Sequence, residues 1–413
     1  MGLDGVNSGS ILVVNAGSSS LKFSLFRVEA ADALQLIVRG QIDGISSRPR
    51  LTVKNHAGCT LVERDFAVAE VTEVKDAIAL AGAWLREQFK GEPLLAVGHR
   101  VVHGGTEYSR PVLVDATVFN ALEQLIPLAP LHQPHNLAAI HAVCESQPQI
   151  PQVACFDTAF HRSHPQLADL YALPWEYYED GVRCYGFHGL SYEYVAATLP
   201  QVAPEIANGR VIVAHLGSGA SLCALRDGKS QDSTMGFSSL DGIPMGTRSG
   251  GIDPGVLLYL AAQRGMSPAA LEKLLYKKSG LLGLSGLSND MRVLLESPVP
   301  RAQLAVDYFV HRVVKEIGAL AAVLGGVDGL VFTAGIGENS AEIRARIVSA
   351  CAWLGMTLAT DANQSGGSCI TTTGGAASAW VVPTNEELMI ARHTHALVTR
   401  IQTPEMDTGG STP

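Results

Sequence analysis

Two turns of small residues in this chain have the composition of phosphate-binding loops. The first is Asn15-Ala16-Gly17-Ser18-Ser19-Ser20 with Lys22 just beyond it, and the second is His215-Leu216-Gly217-Ser218-Gly219. Such turns can present backbone N–H groups to phosphate oxygens, and a lysine adds a point charge. Strand patterns flank both turns, so each is predicted to be a hairpin, unlike a P-loop, which leads into a helix. Taken alone, such a turn is usually a plain hairpin.

A third glycine-rich segment, Gly335-Ile336-Gly337-Glu338-Asn339, lies where a predicted strand meets a predicted helix. The helix N-terminus could face an anion there, or the glycines could admit a flat base close to the backbone. A simple helix cap is the alternative. Together, three such loops in an α/β chain favour a nucleotide bound in a cleft between two domains.

Two arginines are predicted to lie in glycine-rich loops with few neighbouring charges to neutralise them. Arg100 lies within residues 98–105 and Arg248 within residues 245–251. A guanidinium can hold a carboxylate or a phosphate through two parallel hydrogen bonds, so contact with an anion is expected at both positions.

Three further residues could take part in chemistry, although each has a structural explanation as well. Asp157 ends a predicted strand and could be a cap, His188 could be a satisfied structural donor, and Glu386 begins a helix whose dipole stabilises an acid. The remaining histidine pairs have no consistent metal-binding spacing and are interpreted as structural or as supporting the residues of a site: His132 and His135, His161 and His164, His393 and His395.

The elements that must position these residues form an internal repeat. The strands predicted on either side of the two turns are residues 11–14, 21–28, 211–214 and 221–225. With an offset of 200 residues, Gly17 matches Gly217, Ser18 matches Ser218 and Leu25 matches Leu225. The repeat predicts two domains that are copies of one fold.

Strands and helices alternate over the rest of the chain, which predicts an α/β architecture with mixed sheets. The predicted helices are residues 71–89, 115–124, 134–144, 254–264, 300–324, 340–354 and 386–400. Further strands are expected at residues 152–156, 330–333 and 380–382. The expected domains are residues 1–158, completed by residues 384–402, and residues 159–383, with a disordered tail at residues 403–413.

The composition excludes several classes of protein. With 413 residues, 47% of them apolar and 17% charged, the chain can build large cores and is expected to form two domains. A net charge of −9 argues against nucleic-acid and anionic-membrane binding. The N-terminal residues do not resemble a secretory signal, and the longest apolar run, residues 317–332, is too short to span a bilayer. The seven scattered cysteines fit a reduced, cytoplasmic environment.

Seven motifs, in order along almost the whole chain, resemble the acetate kinase family. They are NAGSSSLKF at residues 15–23, GHRVVHGG at 98–105, FDTAFH at 156–161, YGFHG at 185–189, MGTRSG at 245–250, FTAGIGEN at 332–339 and PTNEE at 383–387. The resemblance implies a duplicated fold of the actin, sugar-kinase and heat-shock-chaperone ATPase type, with two similar domains and a nucleotide cleft between them. It also implies phosphoryl transfer between ATP and acetate with Mg²⁺, or Mn²⁺ as an alternative, and a homodimer.

The resemblance also implies a role for each matching residue. Asn15 and Glu386 would bind the metal ion, Arg100 would bind the acetate carboxylate, and Asp157, His188 and Arg248 would be catalytic. The nucleotide positions would be Lys22, His215, Leu216, Gly217, Ser218 and Gly219 for the phosphates, and Asp290, Met291, Arg292, Gly335, Ile336, Gly337, Glu338 and Asn339 for the adenosine.

Two residues depart from the family pattern, which commonly has Asn at Ser218 and Asp at Gly251. The first change could alter ATP affinity, and the second removes a charge that could orient Arg248. A propionate kinase with a larger acyl pocket is the nearest alternative function. An ATP-driven binding protein of the actin or chaperone type is the alternative from another class, and a phospho-enzyme pathway through Asp157 or Glu386 is the alternative mechanism.

Overall fold

The computed structural model describes residues 9–29 and 33–402, which divide into two compact units. Unit 1 contains the described residues up to Ala159 and those from Glu386 onward, and unit 2 is Phe160–Asn385. The tail predicted at residues 403–413 lies outside the described residues. Within the described ranges, no helix has both the length and the apolar character that crossing a membrane requires.

Unit 1 is built on an eight-stranded mixed sheet with the order β5-β4-β3-β2-β1-β6-β8-β7. Strands β1 to β5 form an antiparallel meander, whereas β1, β6 and β8 run parallel. The strands are β1 (Ser10–Ala16), β2 (Ser20–Val28), β3 (Leu34–Asp43), β4 (Arg50–Asn55), β5 (Thr60–Asp65), β6 (Leu94–Val101), β7 (Val112–Leu113) and β8 (Gln152–Phe156).

Helices cover both faces of this sheet. The helices of unit 1 are α1 (Val74–Gln88), α2 (Ala116–Gln124), α3 (Gln133–Ser146) and α15 (Glu386–Gln402). Val97 of β6 belongs to the core formed with α1 and α3, whereas a Cβ on Gly98 would lie 2.3 Å from Thr394 Oγ1 of α15. Successive strand residues point to opposite faces, so α15 covers the face opposite α1 and α3, and Gly98 permits its close approach.

Unit 2 repeats the central part of this sheet. Its five strands are β9 (Arg210–Leu216), β10 (Ala220–Arg226), β11 (Lys229–Ser233), β12 (Gly329–Thr333) and β13 (Ser378–Val381). Their order is β11-β10-β9-β12-β13, with an antiparallel meander on one side and parallel strands on the other. The order matches β3-β2-β1-β6-β8 of unit 1, which is the duplicated α/β fold that the repeat predicted.

The register of the two hairpins corrects one part of the predicted alignment. Ala16 pairs with Leu21 across residues 17–20, whereas Leu216 pairs with Ala220 across residues 217–219. The second turn is therefore one residue shorter. Leu25, which pairs with Leu12, corresponds to Ala224, which pairs with Ile212, and matching Leu25 to Leu225 was wrong.

The remaining helices belong to unit 2. They are α4 (Gln166–Asp169), α5 (Trp175–Glu179), α6 (Gly189–Val202), α7 (Pro254–Arg264), α8 (Pro268–Lys277), α9 (Gly280–Ser285), α10 (Met291–Glu296), α11 (Pro300–Leu324), α12 (Ala334–Asn339), α13 (Ala341–Ala350) and α14 (Thr360–Ser365). Short 3-10 turns lie at Val68–Glu70, Ile126–Leu128, Ala159–Ser163 and Ala352–Leu354. The helices predicted at residues 254–264 and 300–324 are confirmed with the same bounds.

The segment Gly335–Asn339 differs from the prediction, because it belongs to helix α12 and is not a loop before a helix. Ala334 adopts a left-handed conformation with φ of 64°, and its N–H donates to Glu338 Oε1 at 2.8 Å. This local bond turns the chain out of β12 directly into a short helix. A second helix, α13, follows and ends at Ala350, earlier than the predicted residue 354.

Candidate active site

In unit 1, the parallel strands bring three predicted site residues to one edge of the sheet. Asn15 lies near the end of β1, Arg100 near the end of β6, and Asp157 directly after β8. Lys22 pairs with Asn15 across the hairpin, so both side chains lie on the same face. Glu386 begins α15, which covers that face. The fold of unit 1 therefore assembles the predicted acetate and metal residues.

Arg100 is the centre of this group. Its Nε donates to Asp157 Oδ1 at 2.9 Å, and its Nη2 donates to Asp157 Oδ2. Its Nη1 donates to Asn15 Oδ1 at 3.3 Å, and Glu386 Oε2 lies 4.0 Å from Nε. The expectation of an arginine in a loop with few neighbouring charges was wrong. Arg100 lies on a strand, and parallel pairing of β6 with β8 places a carboxylate beside it.

The charges in this group shift two pKa values in physically clear ways. Burial alone would lower the pKa of Arg100, but the negative charges of Asp157 and Glu386 outweigh it and raise that pKa above its ordinary value. Burial raises the pKa of Glu386 to about 7, with Asp157 and Glu387 adding to the shift and Arg100 and Lys22 opposing it. An additional cation near Glu386 would favour its ionised form.

Asn136, which the sequence did not single out, holds two of these strand ends together. Its Nδ2 donates to the carbonyl of Ala16 at 2.7 Å, and its Oδ1 accepts from the N–H of Val102 at 2.9 Å. Asn136 is buried in α3. It fixes the residue after Asn15 relative to the segment that carries Arg100. The available signal was a polar residue directly before the apolar run at residues 137–140.

In unit 2, His188 and Arg248 converge on the second hairpin turn. A Cβ on Gly219 would lie 3.2 Å from His188 Nε2 and 3.2 Å from Arg248 Nη2. The N–H of Gly246 donates to the carbonyl of Ser218 at 3.2 Å, which ties the Arg248 loop to the turn. Three motifs distant in sequence therefore form one group with two nitrogen-bearing side chains at a glycine turn.

A chain of hydrogen bonds through two buried hydroxyl groups, which was not predicted from the sequence, orients His188. Its Nδ1 lies 2.8 Å from Ser221 Oγ, which also bonds the hydroxyl of Tyr192. Its ring stacks on that of His215, with 4.2 Å between centroids and 17° between planes. His215 lies in β9, not in the turn as predicted, and its Nδ1 bonds Ser191 Oγ at 2.8 Å. These contacts direct Nε2 of His188 toward Gly219.

The segment that precedes His188 is anchored by His161. The Nε2 of His161 lies 2.9 Å from the carbonyl of Phe187, and its Nδ1 lies 2.9 Å from Ser230 Oγ. A Cβ on Gly186 would lie 2.5 Å from the His161 ring, so Gly186 is needed for this contact. Burial lowers the pKa of His161 to about 3. His161 is thus a neutral structural residue, as its spacing indicated.

Arg248 is oriented by the backbone of its own region. Its Nη1 donates to the carbonyl of Ser239 at 2.7 Å. Its loop is fixed further by bonds from Ser279 N–H to the Thr247 carbonyl and from Leu281 N–H to the Met245 carbonyl. The Ser239 carbonyl therefore gives Arg248 an orienting contact that needs no acidic side chain at residue 251.

The predicted adenosine segment is only partly suited to contact a ligand. Glu338 Oε1 accepts from the N–H groups of Ala334 and Thr384, at 2.8 Å and 3.1 Å, so this oxygen organises the protein itself. Gly335 is exposed, and a Cβ built on it would have open space within 4 Å. Buried Arg344, also missed from sequence, donates to the carbonyls of Gly337 and Glu338. A flat ligand could reach Gly335, while Glu338 and Arg344 support the turn.

The other predicted adenosine positions differ in their exposure. Asp290 caps α10 and forms an ion pair with Arg292, whose side chain is 85% exposed. Met291 is buried among core residues, so its side chain offers a ligand little surface. Within the described ranges there is no group of three or more His, Cys, Asp or Glu residues that could hold a metal ion.

Comparison with known proteins identifies the family of this chain. The model of the acetokinase family matches residues 10–392. An acetate kinase of Nitrobacter hamburgensis is 57% identical over 94% of this chain and 96% of its own length. The crystal structure of a propionate kinase from Francisella tularensis has a TM-score of 0.88 and 38% identity, covering 94% of this chain and 99% of that one. The structure of Porphyromonas gingivalis acetate kinase has a TM-score of 0.84 and 36% identity, covering 94% and 100%. The chain therefore belongs to the acetokinase family.

Proposed function

We propose that this protein is an acetate kinase, which transfers the γ-phosphoryl group of ATP to acetate and releases acetyl phosphate and ADP. The observation that carries the proposal is the convergence of His188 and Arg248 on the Gly219 turn, in a chain of the acetokinase family. A glycine turn with two such side chains suits a phosphoryl group, because N–H donors and a guanidinium neutralise its charge.

Acetate needs no general base, because it is already an anion at neutral pH. An acetate oxygen would attack the γ-phosphorus, the bond from that phosphorus to the β,γ-bridging oxygen would break, and its electron pair would leave with ADP. No proton has to move in this step. The difficulty is to bring two anions together, so positioning and charge neutralisation supply most of the catalysis.

Within this proposal, the residues of unit 1 handle the acceptor. Arg100 would bind the acetate carboxylate, and Asp157 would hold the Arg100 guanidinium through its two oxygens. A carboxylate held in this way is a poor nucleophile. This argues against Asp157 as the nucleophile of a phospho-enzyme and supports direct in-line transfer. The residues of unit 2 would act on the nucleotide: His188 and Arg248 on the transferred group, and residues 215–219 on the phosphates.

The residues of unit 1 also fit the magnesium ion that the family is expected to use. Asn15, Asp157 and Glu386 offer oxygen atoms, which Mg²⁺ prefers, and Mg²⁺ is usually held by one or two carboxylates together with substrate phosphates and water. Asn15 and Glu386 would hold it, and Mn²⁺ would suit the same oxygens. When bound, the ion would neutralise charge on the phosphates. The raised pKa of Glu386 indicates a carboxylate that gains from a neighbouring cation.

A propionate kinase is the second candidate function, because one structural relative carries that name. The two activities would use the same charged residues and differ in the size of the acyl pocket. One methylene in such a pocket is worth only about 1–3 kcal/mol, so both acids should react, with acetate preferred.

The proposed reaction is tested by measuring ADP release with ATP and Mg²⁺ while acetate, propionate and butyrate are varied. Hydroxylamine traps any acyl phosphate as the hydroxamate. We expect acetate-dependent ADP release with one hydroxamate formed per ADP. ATP hydrolysis that is indifferent to every acid would contradict the proposal and favour an actin-like or chaperone-like ATPase.

The alternative mechanism is tested by a rapid quench with γ-labelled ATP in the absence and presence of acetate. Direct transfer predicts that no label becomes attached to protein on the timescale of a turnover. Label that appears on Asp157 or Glu386 and then passes to acetate at the catalytic rate would instead establish a phospho-enzyme.

We also propose that the protein forms a homodimer through helix α7 of unit 2. This helix, PGVLLYLAAQR, is largely apolar, yet none of its residues is buried. Leu258 is 70% exposed, and Leu304 of α11 is 60% exposed. Arg312 of α11 donates to the Gly251 carbonyl and to the Tyr308 hydroxyl, which places this part of α11 near the start of α7. An apolar helix left uncovered in this way is typical of an interface between identical subunits.

The dimer is tested by light scattering after size-exclusion chromatography of Leu258→Glu, with Leu167→Glu as the control. Leu167 is also strongly exposed, at 83%, but it lies on the short helix α4, outside the proposed surface. We expect Leu258→Glu to yield monomer and Leu167→Glu to remain dimeric. A monomeric unmodified protein, or equal behaviour of the two variants, would refute this interface.

A further inference from the structure

Unit 1 contains a cavity of about 530 Å³ on the face of its sheet opposite α15. Its walls are Leu12 and Leu25 of the β1–β2 hairpin, Ala81, Gly82 and Leu85 of α1, and Val143 of α3. Protein interiors seldom contain voids much larger than a water molecule, and empty space in a core is destabilising. A volume of this size lies in the range of small-molecule sites.

The sequence of α1 explains why this space exists. The helix reads VKDAIALAGAWLREQ, and three of its residues that line the cavity are small: Ala79, Ala81 and Gly82. Small side chains at these positions leave room that leucines would fill. Gly82 is unfavourable inside a helix, by roughly 1 kcal/mol relative to alanine, so its presence here costs stability without serving a turn or a cap.

The mouth of the cavity is positively charged. Arg86 and Lys90 line it, are exposed, and form no ion pair with the described part of the chain. Glu92 also lies at the mouth, but Arg27 binds both of its oxygens, at 3.1 Å and 2.8 Å, and Ser10 donates to it as well. The charge that remains available to a ligand is therefore that of Arg86 and Lys90.

We infer that this cavity is a binding site for a medium-chain monocarboxylate, with the alkyl chain between α1 and the sheet and the carboxylate at Arg86 and Lys90. The apolar walls match a chain without polar groups, and the two cations match a single anionic head. The site is separate from the proposed acetate site, because Leu12 and Val14 point away from the face that carries Asn15 and Lys22. The inference does not depend on the proposed function.

The binding test uses titration calorimetry of the whole protein with octanoate, decanoate and dodecanoate below their micelle concentrations. We expect saturable binding of one acid per chain, with affinity rising about three- to fourfold for each added methylene. Absence of saturable binding for all three acids would overturn the inference.

Gly82→Leu is the decisive variant, because it fills the cavity without threatening the fold. A Cβ at position 82 meets only the movable Arg86 side chain, at 3.1 Å, and leucine is a far better helix former than glycine. We expect this variant to lose at least tenfold in decanoate affinity and to melt at a higher temperature. The matched control is Ala83→Leu, on the exposed side of α1 and outside the cavity, which should bind decanoate normally. Equal binding by the two variants would show that the acid binds elsewhere.

Recognition of the head group is tested with the double variant Arg86→Ala/Lys90→Ala. Its affinity for decanoate should fall about two- to tenfold, as expected for exposed charges, whereas its affinity for 1-decanol should not change. A loss of the same size for decanol, or none for decanoate, would contradict the assignment of the carboxylate to these two residues.

Discussion

Replacing Arg100 with alanine should destabilise unit 1, because it leaves a buried carboxylate without its partner. The side chain of Asp157 is 2% exposed, and both of its oxygens accept from Arg100. Breaking a buried ion pair by removing one member typically costs about 3–5 kcal/mol. Arg100 itself is 23% exposed, so water can replace part of the lost contact, and we expect about 2–3 kcal/mol.

The contribution of the pair itself follows from a double-mutant cycle with Asp157→Ala. Once Arg100 is absent, removing the carboxylate also removes the unpaired charge, so the double variant should lose less stability than the two single variants added together. We expect a coupling of about 2 kcal/mol. The matched control is the Arg50–Glu63 pair, which also belongs to unit 1, with 2.5 Å between its charged atoms but side chains that are 49% and 52% exposed. Solvent should leave that pair with little coupling.

The assay is urea unfolding followed by the fluorescence of Trp84, the one tryptophan in the part of the sequence assigned to unit 1. The tryptophans at 175, 353 and 380 are replaced by phenylalanine so that the signal reports this unit. Strictly additive losses for Arg100 and Asp157, or a coupling no larger than that of the exposed control pair, would refute the argument that Asp157 is stabilised by Arg100.

Three other predictions concern catalysis and pH. Arg100→Ala should raise the acetate KM roughly 10- to 150-fold, because a charge-assisted contact with the carboxylate is lost. Arg248→Ala should chiefly lower kcat, by a factor of about 10²–10³. Steady-state kinetics in which neither variant changes these values would contradict the roles assigned to the two arginines. Ser221→Ala should lower kcat about three- to tenfold with little change in KM, because His188 loses the hydrogen bond that orients it. Ser221→Thr keeps a hydroxyl and should restore activity. A change confined to KM would contradict this positioning role. The free energy of unfolding should fall as the pH drops from 6.5 toward 3, because His161 takes up a proton in the unfolded chain but stays neutral in the folded protein, where its pKa is about 3. In His161→Gln, the midpoint of urea unfolding should fall less steeply over this pH range. An identical pH profile for the two proteins would refute this linkage.

Much of the fold could be predicted from local sequence signals. The helix at Pro300–Leu324 begins with proline in its first turn and ends before Gly325, which has a φ of 69°. Helix α7 begins with Asp253 as its cap and Pro254 in its first turn, and it ends before Gly265, which has a φ of 62°. These are residue-level rules for starting and ending a helix, so the predicted bounds were right. The two glycine turns were likewise visible as hairpins.

Other structural features could not be predicted, because they depend on contacts between segments that are distant in sequence and leave no local sequence pattern. The pairing of Arg100 with Asp157 follows from β6 lying beside β8, so the sequence indicated an anion-binding arginine but not its internal partner. The one-residue difference between the hairpins became visible only in the register. Helix α12 was missed because a left-handed Ala334, stabilised by Glu338, replaces the usual cap.

The candidate site was predicted through its motifs rather than through its supporting residues. Asn136, Ser221 and Arg344 each hold a site segment by hydrogen bonds from buried positions. Polar residues of this kind are common in sequences, and their partners are revealed only by tertiary packing. The roles proposed for the metal, acetate and nucleotide residues, like the expected cytoplasmic location, stay predictions until they are measured.

The most direct test of the central claim is the reverse reaction, in which ATP is formed from ADP and an acyl phosphate with Mg²⁺. A luciferase readout follows ATP as acetyl phosphate or propionyl phosphate is supplied to the purified protein. An acetate kinase should form ATP rapidly from acetyl phosphate, with a lower kcat/KM for propionyl phosphate and with loss of activity in Arg248→Ala. No ATP from either acyl phosphate, in protein that is folded and binds ADP, would contradict the proposed function.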